Sequence, residues 1–266
     1  MAVDAGTKRR YNDRISEQKK AIAEIDKDIA AIKKAMGQNE KLQPFFYIGI
    51  VSKMLRQINL NLDMNDMSER MMGIKNNNYL DTAKRMVGKI FQEIEPVVTM
   101  NVDAPLNHNR EELDKLKPFT PKQRLNFYKH IQKTIQRLIK GYGESTKWKW
   151  SFPELWGKLA ITLKNMTDYR EMQAIRDPRE EFFYDRQELL NTVKETLFDA
   201  SSQYRSKFEI STKSTNDLVY AMKMLEDLRR IASMTGDMEL SKKCKSGIES
   251  YKARIAVETK KKKGKK

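Results

Sequence analysis

Apolar residues recur three and four positions apart along most of this chain, and the places where that rhythm breaks mark where its helices begin and end. Between about Tyr11 and Met36 they fall at Ile15, Ile22, Ile25, Ile29, Ile32 and Met36, with Gln18 at the one missing position. This is a heptad seam, which either pairs with another chain or lies along its own; with about three heptads, the second is favoured. Gly37 suits the C-terminal cap, and Pro44 keeps the helix from running on into FFYIGIVSKMLRQI, the most apolar stretch. Met64, Met67 and Met71 then share a helix face. The flexible thioether suits irregular core packing, which is the expected role, or else an adaptable apolar interface. Asn76 to Asn78 mark a turn, and Leu80, Ala83, Val87, Ile90, Phe91 and Ile94 define the next helix.

The rhythm lapses from 96 to 120, where Pro96, Pro105 and Pro118 predict the longest irregular connection. Thr120, Pro121 and Gln123 then form a capping box with proline at the first helical position, opening a helix that should stop at Gly141. A second box is expected at Ser151 and Glu154, with Trp150 and Leu155 as its hydrophobic staple and Trp156 turned to the core. That helix should end near Asp177, which in turn suits the cap of a helix starting at Pro178. Ser214 with Asp217 predicts one more capped helix, ending at Gly236, and a final helix completes a hairpin.

The pattern divides the chain into an N-terminal helical arm (1–95), the connection (96–120), a C-terminal helical bundle ending in a helix-turn-helix hairpin (121–258), and a disordered lysine tail (259–266). No strand alternation is present. The fold class expected is all-α, an elongated array of long amphipathic helices with coiled-coil-like packing. Composition agrees, because 39% hydrophobic against 33% charged residues allows only a narrow core. No apolar run approaches the roughly 20 residues of a membrane span. The opening MAVDAGTKRR has no apolar segment and is not itself a secretory signal.

Signals for catalysis are poor. His108 and His130 form no paired metal-ligand spacing, and GYGES at 141–145 lacks the Gly-Lys-Ser/Thr of a phosphate loop. The single cysteine, Cys244, falls on the apolar face of its helix with Ile248 and Tyr251, as a small core residue does. No cofactor, metal or catalytic residue is expected, and the chain reads as a non-enzyme.

Charge is more informative. The formal net charge is +16, and between Lys115 and Trp150 ten Lys or Arg residues face one carboxylate, Glu144. On the helix after Thr120, Lys122, Lys129, Lys133, Arg137 and Lys140 align along one ridge, followed by Lys147, Trp148 and Lys149. Such a ridge is either a solvated face or an answer to a polyanion. The candidates are the acidic face of a partner protein and a nucleic-acid backbone, with the lysine tail assisting. Tryptophan beside lysine could also stack on bases, but without strands there is no platform of the usual kind. Trp148 is therefore expected to be exposed and to touch a protein partner.

The N-terminal VDAGTKRRYNDRISEQKKAIAEI, the segment WKWSFPELWGKL, the helical plan and the lysine-rich end together resemble the flagellar-coiling protein family of spirochaetes, sheath components of the periplasmic flagellar filament. The resemblance implies a bent or V-shaped helical protein that coats a flagellin core with other sheath proteins and helps the filament curve for motility. It also implies a periplasmic location, reached with a signal peptide that this sequence does not carry.

Overall fold

Asp4 starts the first helix ahead of the seam, its carboxylate accepting from the Thr7 backbone N–H at 2.9 Å and the Thr7 hydroxyl at 2.6 Å. In the computed structural model, which describes residues 3–37, 39–143, 146–174 and 177–263, the chain is all-α, with no strand among the described residues. Contacts gather it into two units, Met1–Val97 with Asp114–Pro118 and Asn126–Lys149, and Val98–Leu113 with Phe119–Leu125 and Trp150–Lys266.

The first unit is built around α2 (Gln43–Met72), whose first turn holds Pro44 and which buries residues from Ile48 to Ser68. α1 (Ala5–Met36) lies along it, so the seam packs within the chain: Ile15 meets Met64 and Met67, with Tyr11, Ile22 and Tyr79 beside them. Asp28 to Lys53 at 2.6 Å and Asp26 to Gln57 at 2.6 Å fix the register of the two helices. α3 (Asn77–Ile94) buries the stripe Leu80, Ala83, Val87, Ile90, Phe91 and Ile94, as its periodicity predicts.

The capping box at Thr120 forms, with Gln123 Oε1 accepting from Thr120 N at 2.9 Å and Thr120 Oγ1 accepting from Gln123 N at 3.3 Å. It opens α5 (Pro121–Tyr142), which passes the expected stop. At Gly141 a Cβ would lie 2.8 Å from the Leu80 side chain, so this glycine serves close packing, and Gly143, at φ 80°, ends the helix instead. Tyr142 Oη then donates to Asp81 at 2.5 Å, and Lys75 Nζ donates to the Tyr142 carbonyl at 3.2 Å.

The second unit joins α6 (Phe152–Met166), α7 (Tyr169–Ala174), α8 (Phe183–Lys207), α9 (Thr215–Met234) and α10 (Met238–Lys263). Its centre is an ion pair closed to solvent. Lys164 and Asp227, 0% and 1% exposed, meet at 2.7 Å, and the Lys164 ammonium also donates to the carbonyls of Val102 and Ala104, at 3.0 Å each. Burial pushes the lysine's pKa down and the carboxyl's up, and each partner's charge opposes that push. The irregular connection is thus fastened into a core, and it also carries a short helix, α4 (Arg110–Lys115). Gly157 lets α8 come close, since a Cβ there would lie 2.6 Å from the Tyr204 ring. Cys244 is buried as expected, and burial raises its thiol pKa.

Several boundaries differ from the sequence reading. The bundle expected over 121–258 is divided, because residues 126–149 belong to the first unit. The helix from Phe152 breaks at the extended Thr167 and does not reach Asp177. Asp177 closes a turn on Arg179, and Phe182, at φ 60°, delays α8 to Phe183. Neither Ser151 nor Ser214 makes a side-chain cap, because their box partners bind elsewhere: Glu154 takes Lys207 at 2.8 Å, and Asp217 takes the Thr212 hydroxyl. The lysine tail is helical to Lys263, its entry into helix supported by Arg254 and Lys261 on Glu258 and by the favourable field of a helix C-terminus on cations. Residues 264–266 lie outside the described residues.

Candidate functional site

The buried stripe of α5 includes Tyr128, Ile131, Thr134, Ile135 and Leu138. At 100° per residue, Lys122, Lys129, Lys133 and Lys140 fall on the opposite side, and all but the half-buried Lys129 are exposed. Lys129, Lys133 and Lys140 belong to the first unit, whereas Lys122, on the first turn, belongs to the second. His130 stands beside Lys133, and burial together with that lysine pushes its imidazole pKa below the ordinary value. The face is therefore cationic at neutral pH, with no histidine charge contributing.

Arg137 leaves the expected ridge. Its guanidinium turns onto α2 and donates to Asp63 and Asp66 at 2.6 Å each, and to Asn59 Oδ1 at 3.3 Å. Burial disfavours its charge, but the two carboxylates outweigh that and hold its pKa up. Arg137 is thus a clamp between α5 and α2. Asp63 and Asp66 were not singled out in the sequence, although their three-residue spacing puts both on one helix face, where a forked donor can bridge them.

Trp148 is half-buried, contrary to the exposed position expected, and so are Trp150 and Trp156, which were expected in the core. Lys84 of α3 places its ammonium 3.4 Å from the Trp148 ring centroid, and Lys147 stands at 5.1 Å. Lys147 and Lys149 are exposed. Trp148 thus holds lysines in place within the first unit; only a long-range fold contact brings Lys84 to it, so no local sequence signal marks that residue. Of the methionine stripe, Met64 and Met67 are core and Met71 is half-buried. Met64 and Met67 pack against Ile15 of α1.

Among the described residues, no group of three or more His, Cys, Asp and Glu side chains is placed to hold a metal ion. No helix among them is long and apolar enough to cross a membrane. What the α5 face can do chemically is attract and hold anionic groups.

No curated protein matches the chain. It is similar to a solved structure described as a DHF58 filament, with 12% identity over 97% of this chain and 99% of the other, at a TM-score of 0.27 that carries no argument. A family model does match, and the family is named for a Treponema protein, in keeping with the spirochaete resemblance. With residues 7–259 covered by that model, the chain belongs to the TP0443 family.

Proposed function

We propose that this chain is a non-enzymatic structural protein that docks through its α5 lysines on acidic protein surfaces, as a sheath subunit on a periplasmic flagellar filament that promotes its curvature for motility. One observation carries the reading: α5 packs one side into the core and turns Lys133 and Lys140, with Lys129 between helix and solvent, the other way. A like-charged row of this kind is self-repelling, and an acidic partner surface relieves that repulsion while steering association.

The test is co-sedimentation of the purified chain with isolated spirochaete flagellar filaments, wild type beside a Lys133→Glu, Lys140→Glu variant. Salt-sensitive binding that falls at least about tenfold in the variant is the expected result, equivalent to about 1.4 kcal/mol. A parallel titration with labelled duplex and single-stranded nucleic acid at physiological salt decides the competing assignment. Tight binding there, lost in the same variant, would make the protein a nucleic-acid binder.

A further inference from the structure

Within the first unit, α1 and α3 both lie along α2 and leave a groove of about 800 Å³ between them. Its three walls repeat one rhythm. α2 forms the floor with Ile50, Met54, Gln57, Asn61 and Met64; α1 contributes Lys19, Ile22, Asp26, Ile29 and Lys33; α3 contributes Tyr79, Thr82, Met86, Lys89 and Glu93. The α1 and α2 series step by three and four, the spacing of core positions in a heptad, and on α3 the same steps run from Tyr79 to Glu93 with Asn78 and Gln92 beside them. From Lys19 to Lys33 the wall is about 21 Å long, or two heptads, at 1.5 Å per residue. The Lys33–Glu93 bridge, at 3.0 Å, bounds one end, and Tyr11 and Tyr79, packed against Ile15, Met64 and Met67, bound the other. Three heptad stripes facing one unfilled line are the arrangement of a four-helix bundle with a helix missing.

The middle of the floor is polar. Gln57 is turned inward, donating to Asp26 at 2.6 Å and to the Ile22 carbonyl at 3.3 Å. Asn61, 6% exposed, donates to the Gln57 carbonyl at 2.9 Å, and its Oδ1 accepts from nothing among the described residues. On the rims, Lys19 and Lys89 are exposed and form no ion pair among the described residues.

We propose that this groove docks an amphipathic helix of a partner protein, two heptads long, with an amide or hydroxyl at its central core position and acidic residues along its edges. The heptad walls call for a helix, because knobs from a fourth helix fit their holes. The Asn61 oxygen calls for a donor at the centre, which a hydrocarbon chain lacks. Lys19 and Lys89 call for acidic flanks, which argues against a second copy of a chain whose net charge is +16. The inference is independent of the α5 lysines.

The test titrates the full chain with a fluorescein-labelled two-heptad peptide carrying Leu at its core positions, Asn at the central one and Glu along both edges, read by anisotropy. Saturable binding is expected. It should weaken about tenfold or more in Met86→Trp, which fills the groove, and in the surface pair Lys19→Glu, Lys89→Glu, whose folding does not depend on the groove. A peptide with Leu for the central Asn should bind wild type less well. No saturable binding to wild type would overturn the proposal, as would equal binding to all variants. Saturable uptake of dodecanoate in place of the peptide would assign the groove to a lipid instead. Self-association lost in Met86→Trp would assign it to a second copy.

Discussion

Lys164 of α6 and Asp227 of α9 meet at 2.7 Å with no access to water, and the lysine's remaining donors hold the Val102 and Ala104 carbonyls. Asp227 also accepts from the exposed Arg230 at 3.0 Å, so removing Lys164 orphans the two carbonyls and leaves the buried carboxylate with that partner alone. Lys164→Met is therefore expected to cost about 3–5 kcal/mol in urea unfolding, and Lys164→Met with Asp227→Leu to cost less than the two single changes summed. A loss below about 1 kcal/mol in the single variant would show that the pair carries no weight in the fold.

Arg137→Lys keeps the charge but loses the fork that reaches Asp63 and Asp66 together. The side chain is one-third exposed, so the expected cost is modest, about 1–2 kcal/mol by thermal or urea denaturation. Filament binding should be unchanged. If binding falls while stability holds, Arg137 is part of the docking face after all.

Trp148→Ala removes the ring under the Lys84 ammonium. Half-buried packing and the cation–π contact together predict a loss of about 1–2 kcal/mol, with Trp148→Phe retaining part of it. Calorimetry on the three proteins decides: an unchanged melting temperature in the alanine variant would return Trp148 to the solvent-facing role that its sequence neighbours suggest.

Asp237 caps α10, accepting from Leu240 N at 3.2 Å, and pairs with Lys194 of α8 at 2.9 Å. The hydrogen bond from Lys194 and the one from the Leu240 backbone hold its carboxyl pKa below the usual 3.8. The folded protein thus binds this proton less readily than the unfolded chain. Its stabilisation is present above about pH 4 and is lost as the pH falls through the depressed value. Asp237→Asn should cost about 1 kcal/mol at pH 7, and the gap from wild type should close as the pH falls below about 4. A gap that stays constant across that range would mean that the charge plays no part.

Helix identity was legible in the sequence wherever one face is buried along a whole element, as with Leu80 to Ile94 in α3 or the seam of α1 on α2. Helix ends were less so. Thr120 and Gln123 satisfy each other as their spacing promises, but the same pattern at Ser151 and Glu154 loses to Lys207, a competitor that only the fold delivers. Likewise the lysine ridge was visible from its spacing, yet Arg137 turns away because Asp63 and Asp66, seventy-odd residues earlier, wait on the adjoining helix. The heptad walls of the groove were only partly visible: the α1 seam was, but the matching stripes of α2 and α3 are masked by the apolar residues that bury their other sides.

The interleaving of the two units along the chain sets an order on their completion during synthesis. When residue 97 emerges, the first unit has α1, α2 and α3 but still awaits the segment bearing Arg137 and Tyr142. The Val102 and Ala104 carbonyls emerge next, ahead of Lys164, and Lys164 ahead of Asp227. Cutting the chain at 95 or 120 therefore yields no fragment with a finished core. A truncation that expresses well has to keep residues 98–149 joined to both sides.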